Sequence, residues 1–157
     1  MESSQEQNVV FNVEKIYIKD VSYEAPGAPL TFTQAGGAAE IGVQLGLEHG
    51  ALNAEQGLYE VTLTVTSTAT RENKNIFLVE VKQAGIFRIA GVQGEMLERA
   101  LEISCPYVLL PFVREAINDL VGRGGFPQLL INPINFEALY DQKRQQQAAP
   151  ASRPSLN

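Results

Sequence analysis

The chain has one histidine, His49, and one cysteine, Cys105. Any Ser-His-Asp relay would have to rest on His49, and any zinc cluster or intramolecular disulfide lacks a second thiol. His49 stands beside Gly50 in what reads as a loop, where a lone histidine is ordinarily a solvated side chain. Cys105 directly precedes Pro106 at an expected helix N-terminus, a place where the helix dipole lowers a thiol pKa. With no base beside it in the sequence, structural burial is the simpler reading. Neither a GxxxxGK[ST] phosphate loop nor a GxGxxG turn occurs. Arg123-Gly124-Gly125 is a single copy and reads as a helix stop. The inventory points away from catalysis and cofactors and toward binding.

The 157 residues carry 18 acids against 12 bases, a net charge of −6. That balance argues against a nucleic-acid binder with a broad basic surface. With 45% hydrophobic and 19% charged residues the composition is globular, and the length fits one domain. Residues 1–8 are polar and hold no apolar stretch, so a signal peptide is not expected, and no run of about 18 apolar residues would span a membrane. A soluble protein of a reducing, cytoplasmic compartment is the simplest placement. Residues 1–8 and 145–157 read as flexible tails around a domain at 9–144.

The elements that must position a binding surface come in two halves. The first half reads as strands. Residues 9–24 are rich in β-branched and aromatic residues, but their parity shifts twice: Phe11 and Val13, then Ile16 and Ile18, then Val21 and Tyr23. Two shifts imply bulges or a break. Residues 24–29 form a loop, with two prolines and a glycine. Residues 40–47, 58–68 and 75–83 alternate apolar and polar or small side chains, which predicts three more strands and a four-stranded antiparallel meander with one buried face. The second half reads as helices: a short amphipathic one over 95–104, a longer one from Pro106 ended by Gly122, Gly124 and Gly125, and a last one over 136–144 capped by Asn135. The fold class is α+β, a four-stranded antiparallel sheet with helices packed on one face.

Two features of this arrangement bear on function. If Val21 and Val79 face the core, then Asp20, Glu24, Leu78 and Glu80 face outward together. Acids around an exposed leucine suit a basic, partly apolar partner, and a solvated sheet face is the alternative. The second feature is surplus apolar surface. One sheet face takes one or two helices, yet the chain offers a long apolar helix, apolar residues at 126–131, Phe136, Leu139 and Tyr140, and a crossover at 26–32. Oligomer interface, a groove for extended apolar peptide, and plain core all remain open.

The residues resemble the SecB family of export chaperones. The resemblance runs from about Phe11 to Tyr140. It is carried by IYIKDVSYEAPGAP (16–29), YEVTLTVT (59–66), FLVEVKQAGIFRIAG (77–91), CPYVLLPFVREAINDLVGRGGFPQL (105–129) and INPINFEALY (131–140). It implies an ATP-independent chaperone, not an enzyme, that assembles as a homotetramer, a dimer of dimers. Such a chaperone holds unfolded secretory preproteins and delivers them to the translocation ATPase SecA. The family's acidic, sheet-borne SecA contact matches Asp20, Glu24, Leu78 and Glu80, with the basic, zinc-bearing tail of SecA as receiver. The resemblance places the client groove on Phe32, Ile41, Val43, Phe126, Leu129, Ile131, Phe136 and Leu139. After Phe32, where some members carry a tryptophan, this chain has Ala35-Gly36-Gly37-Ala38-Ala39. It implies no cofactor, no nucleic acid and no membrane insertion. SecB-like chaperones dedicated to toxin–antitoxin systems are the alternative within the same fold. A small-molecule-binding domain and a purely structural oligomer are alternatives from other classes.

Overall fold

A computed structural model describes residues 8–34 and 36–148. The segments expected as tails at 1–7 and 149–157, and Ala35, lie outside the described residues. Four strands, β1 (Val10–Glu24), β2 (Glu40–Asn53), β3 (Leu58–Arg71) and β4 (Lys74–Ala90), precede three helices, α1 (Glu95–Arg99), α2 (Cys105–Arg123) and α3 (Phe136–Ala148). The strands form one antiparallel sheet in the order β1-β4-β3-β2. The sheet is therefore not a simple meander. Strands β2, β3 and β4 follow one another through hairpins, while β1 lies on the far edge and reaches β2 by a crossover, the Greek-key order. That crossover holds a short 3-10 turn at Leu30–Phe32.

The parity shifts of the first strand are real. The β1–β4 register slips between Val13 and Lys15 and again between Ile18 and Asp20. Glu14 and Lys19 are the inserted residues, and each one reverses which side chains face the helices. The second reversal restores the first parity, so Phe11, Val13, Ile16, Ile18, Val21 and Tyr23 share one face.

Three strands outrun the sequence reading. β2 continues to Asn53, so His49 is no loop residue; it pairs with Val61 and faces the helices. β4 continues to Ala90, beyond the break in alternation at Ala84-Gly85. β3 and β4 join through Glu72 and Asn73, both at positive φ (52° and 61°), the two-residue turn that matches strand twist. At the opposite end Gly57 (φ 69°) accepts a hydrogen bond from the Ile89 amide (2.8 Å), and a Cβ there would come within 2.4 Å of the Ile89 carbonyl oxygen.

The helices also join differently from expectation. α1 runs without a break through a π turn at Ala100–Ser104 into α2. The Cys105 amide bonds the Ala100 carbonyl, five residues back. The wider turn accommodates Pro106, which has no N–H to donate and whose ring would crowd the carbonyl four residues earlier in a regular α-helix. Cys105 is thus not at a helix N-terminus. In α2 the buried residues Cys105, Leu109, Val113, Ile117 and Val121 recur every four positions, one continuous stripe. They meet Val61, Leu63, Val65, Val79, Val81 and Phe87 on β3 and β4. Gly125 (φ 85°) ends the helix, and the Phe126 amide returns to the Val121 carbonyl at 3.1 Å. Asn135 caps α3 as expected, its Oδ1 accepting from the Ala138 amide at 2.9 Å. α3 continues to Ala148, past the expected end at 144.

Burial in this apolar stripe, with no dipole to oppose it, pushes the Cys105 thiol up to about 12. At pH 8 the native protein should react with a thiol reagent only at its unfolding rate, while denaturant should expose one thiol per chain within seconds. Rapid stoichiometric labelling of the native protein would contradict this packing.

Candidate binding surfaces

The two faces of the sheet have opposite chemistry, and the register decides which residue goes where. On the face away from the helices, Glu24 pairs with Leu78, Ser22 with Glu80, and Asp20 with Lys82. Behind them on β3 lie Thr68, Thr66 and Thr64. Asp20, Glu24, Leu78 and Glu80 therefore do share one surface. It spans about 13 Å along the strands, from ~3.3 Å per residue. Asp20 and Glu24 are exposed, and Leu78 and Glu80 half-buried. The Thr66 hydroxyl donates to Glu80 Oε2 at 2.8 Å and fixes that carboxylate. Lys82 sits among the acids, so three carboxylates face one ammonium. Further along the same face, Glu60 accepts from Tyr17 and from Lys19 (2.8 Å). These two donors hold the Glu60 carboxyl below its ordinary range.

On the helix side, α2 covers the central strands only. On edge strand β2, Ile41, Val43 and Leu45 point toward the helix layer but stay exposed. Residues 126–135 and α3 return alongside them. The return is pinned where Asn118 Oδ1 accepts from the Leu129 amide (3.0 Å) and where the Phe136 amide donates to the Tyr107 hydroxyl (3.2 Å). Two depressions result. One of about 370 Å³ lies between Ile41, Val43 and Leu45 and the segment Leu130 to Ile134. The other, about 550 Å³, lies between Val43, Leu45 and Leu47 and the α3 residues Phe136, Leu139 and Tyr140. Val43 and Leu45 line both, so the two make one apolar groove along β2.

The expected groove residues divide accordingly. Ile41, Val43, Ile131, Phe136 and Leu139 line this groove. Leu139 is exposed, whereas Phe136 is a core residue at 3% exposure that forms the floor. Leu129 (8% exposed) belongs to the core and lines neither depression. Phe32 and Phe126 lie elsewhere: their rings are 5.1 Å apart, and Phe126 is 5.1 Å from Phe77. That aromatic string sits at the end of the sheet where Ile41, Ala69 and Phe77 align across the strands. The sequence reading missed Leu45 and Leu47, although alternation had set them beside Ile41 and Val43. Leu130 and Tyr140 stood only within the surplus apolar surface, and Ile134 and Glu102 were missed because no local pattern marked them. Among the described residues no group of three or more His, Cys, Asp or Glu is placed to hold a metal ion, and no helix is long and apolar enough to cross a membrane.

The protein-family model described as "Preprotein translocase subunit SecB" matches residues 4–147. The chain belongs to the SecB family. Both surfaces lie inside the matched span. The protein-export protein SecB of Methylobacillus flagellatus is 46% identical over 146 residues, 93% of this chain and 91% of that one. That of Nitrosomonas europaea is 48% identical over 92% of this chain and 89% of its own. Among solved structures, the SecB-like chaperone of Mycobacterium tuberculosis in complex with an antitoxin peptide superposes with a TM-score of 0.65. It covers 80% of this chain and 91% of that one at 15% identity, a likeness of fold.

In this SecB-family chain the groove wall α3 is held by two buried aromatic side chains and by charge. Only Phe136 and Tyr140 of its 13 residues are buried. Four ion pairs tie it to α1 and the π turn: Arg99–Glu137 (2.9 Å), Arg99–Asp141 (3.8 Å), Lys143–Glu102 (2.5 Å) and Arg144–Glu95 (2.5 Å). The three exposed pairs contribute about 0.3–1 kcal/mol each and are screened at 1 M salt, where the Debye length is about 3 Å, whereas the Glu102 carboxylate is buried and screened less. Raising NaCl from 0.05 to 1 M should speed amide exchange in α3 about fivefold to tenfold, with α2 unchanged. Equal protection at both salts would show that apolar contacts alone hold the helix.

Proposed function

We propose a division of labour between the two faces of the sheet in this export chaperone, which is not an enzyme. The apolar groove along β2 takes extended segments of unfolded preproteins, and the acidic outer face around Leu78 receives SecA. What carries the reading is the placement of the groove and the acidic patch on opposite faces of one sheet. Apolar contacts without fixed hydrogen-bond geometry tolerate many client sequences, as a generalist holding chaperone needs. An outer patch of three acids and one partly buried leucine suits a basic, partly apolar partner. The proposed receiver is the basic tail of SecA, which would bring its own zinc. Because client and SecA would not compete for one surface, a loaded chaperone would dock and hand over its cargo in the cytoplasm.

The proposal includes assembly as a dimer of dimers. Its support is the second uncovered edge. On β1 the side chains of Phe11, Val13, Ile18 and Val21 point to the helix side and remain exposed, as does Phe112 on α2. A second copy would cover them. Four copies would present four grooves to one client, and linked weak contacts multiply into tight holding.

Dilution of a denatured secretory precursor into the protein without nucleotide should suppress aggregation and give a soluble complex of one tetramer and one client, read by native mass. Aggregation as fast as in buffer, with an intact oligomer, would leave the groove without its proposed role.

Leu78→Arg and Glu80→Lys should each weaken SecA binding at least tenfold by calorimetry, with client holding and oligomer mass unchanged. Loss of assembly or of holding in these variants would refute the separation of faces.

A further inference from the structure

The outer face of the sheet carries one charge of the wrong sign for its proposed partner. Lys82 on β4 pairs with Asp20 on β1 and with Thr64 on β3. It stands one step along the face from the Glu80–Ser22 pair and two steps from the Leu78–Glu24 pair. The ammonium therefore belongs to the acidic patch itself. Lys82 is half-buried, so part of its stem is covered by its neighbours on the sheet.

No internal partner explains its position. None of the ion pairs among the described residues includes Lys82, Asp20, Glu24 or Glu80. The Glu80 carboxylate is held by the Thr66 hydroxyl of β3 at 2.8 Å. Glu60, the next acid along the face, already takes Lys19 and Tyr17. Lys82 is thus a standing positive charge among acids that are not tied to it. With it the patch carries a net charge of −2, and without it −3.

Charge and apolar contact do different things in such a patch. Coulomb attraction acts over several ångströms and does not distinguish a chain of lysines from a specific partner. Leu78 acts only at contact, and only on an apolar group. Three unopposed acids would gather basic polymers of every kind. A lysine among them is a repulsive element that weakens all of these, and contact with Leu78 is then what decides.

We propose that Lys82 is a specificity-determining residue of the outer face, lowering its attraction for basic chains in general so that docking depends on a segment that also covers Leu78. This rests on the SecA reading of that face and adds a selection rule to it.

The test compares the full-length parent protein with Lys82→Gln and with the charge-preserving Lys82→Arg. Surface plasmon resonance gives association and dissociation rates with SecA at 0.05 and 1 M NaCl, and fluorescence anisotropy gives the affinity for labelled decalysine at 0.05 M. At low salt Lys82→Gln should associate with SecA about threefold faster and dissociate at the parent rate, since a charge beside a contact acts mainly on encounter. The gain should vanish at 1 M, where the Debye length is about 3 Å. Decalysine should gain more, about tenfold in affinity, because each of its residues near the patch is a cation. Lys82→Arg should match the parent throughout. Slower association or faster dissociation of Lys82→Gln would mean that the lysine touches SecA or braces the acids, and would overturn the proposal. Equal rates for Lys82→Gln and the parent, or a gain for decalysine no larger than that for SecA, would overturn it too and leave the SecA reading intact. Failure of the parent protein to bind SecA, or an undiminished association rate in Glu80→Lys, would overturn the SecA reading and the selection rule with it.

Discussion

One helix is narrower than four strands, and most of this molecule follows from that mismatch. An α-helix with its side chains is about 10 Å across, whereas the axes of four strands spaced about 4.8 Å apart span about 14 Å before any side chain is added. α2 lies over β3 and β4 and buries their inward residues completely, as Val61, Leu63, Val79 and Val81 show. Most inward residues of both edge strands are just as apolar but are only partly covered by the helix layer. On β2 this leaves Ile41, Val43 and Leu45 open, and on β1 Phe11, Val13, Ile18 and Val21. Alternation made these strands look like ordinary half-buried strands. Their position at the edges, which follows from the Greek-key order, is what turns them into surfaces.

The remaining chain responds to the two open edges in different ways. Beside β2 it returns as residues 126–135 and α3, which wall the edge without filling it. The wall does not collapse onto the strand because its attachment points lie on the other side. Asn118 holds residue 129 to α2, Tyr107 holds the start of α3, and the ion pairs draw α3 toward α1. Beside β1, α2 and Gln128 of the returning segment leave a depression of about 720 Å³ that reaches Ile16, Ile18 and Phe112.

Much of this was legible in the sequence, for physical reasons that differ by element. The period-2 patterns of 40–47 and 58–68 fixed which face each side chain takes, and the parity breaks around Glu14 and Lys19 marked both bulges. The three- and four-residue spacing of apolar residues from Leu109 to Val121 marked the helix face. What was not legible depended on contacts distant in sequence. Gly46 and Gly50 interrupt the polar half of β2, so His49 read as loop; the strand continues there because Val61 and its neighbours on β3 supply the ladder. Pro106 read as a helix start, because proline favours that position, yet the π turn carries the helix through it. Glu102 carried no local signal at all. It sits between Met96, Leu97 and the long helix as one more surface acid by pattern, and only the return of α3 some 40 residues later buries it beside Lys143.

The separation of the two faces rests on a single-residue step, and the bulges in β1 are what keep the step in phase. Leu78 and Val79 are neighbours in the chain, yet one meets solvent and the other the core. The same holds for Asp20 and Val21 on the paired strand, but only because Lys19 is inserted there. An uninterrupted β1 from Ile16 would carry Asp20, Ser22 and Glu24 onto the helix side, where two charges and a hydroxyl would exchange places with Val21 and Tyr23. The acids would be turned toward Val79 and Val81, and the ring of Tyr23, which lies 6.4 Å from Phe77, would be in water. A defect in the ladder is thus what places an acidic surface and an apolar one on opposite sides of the same edge strand.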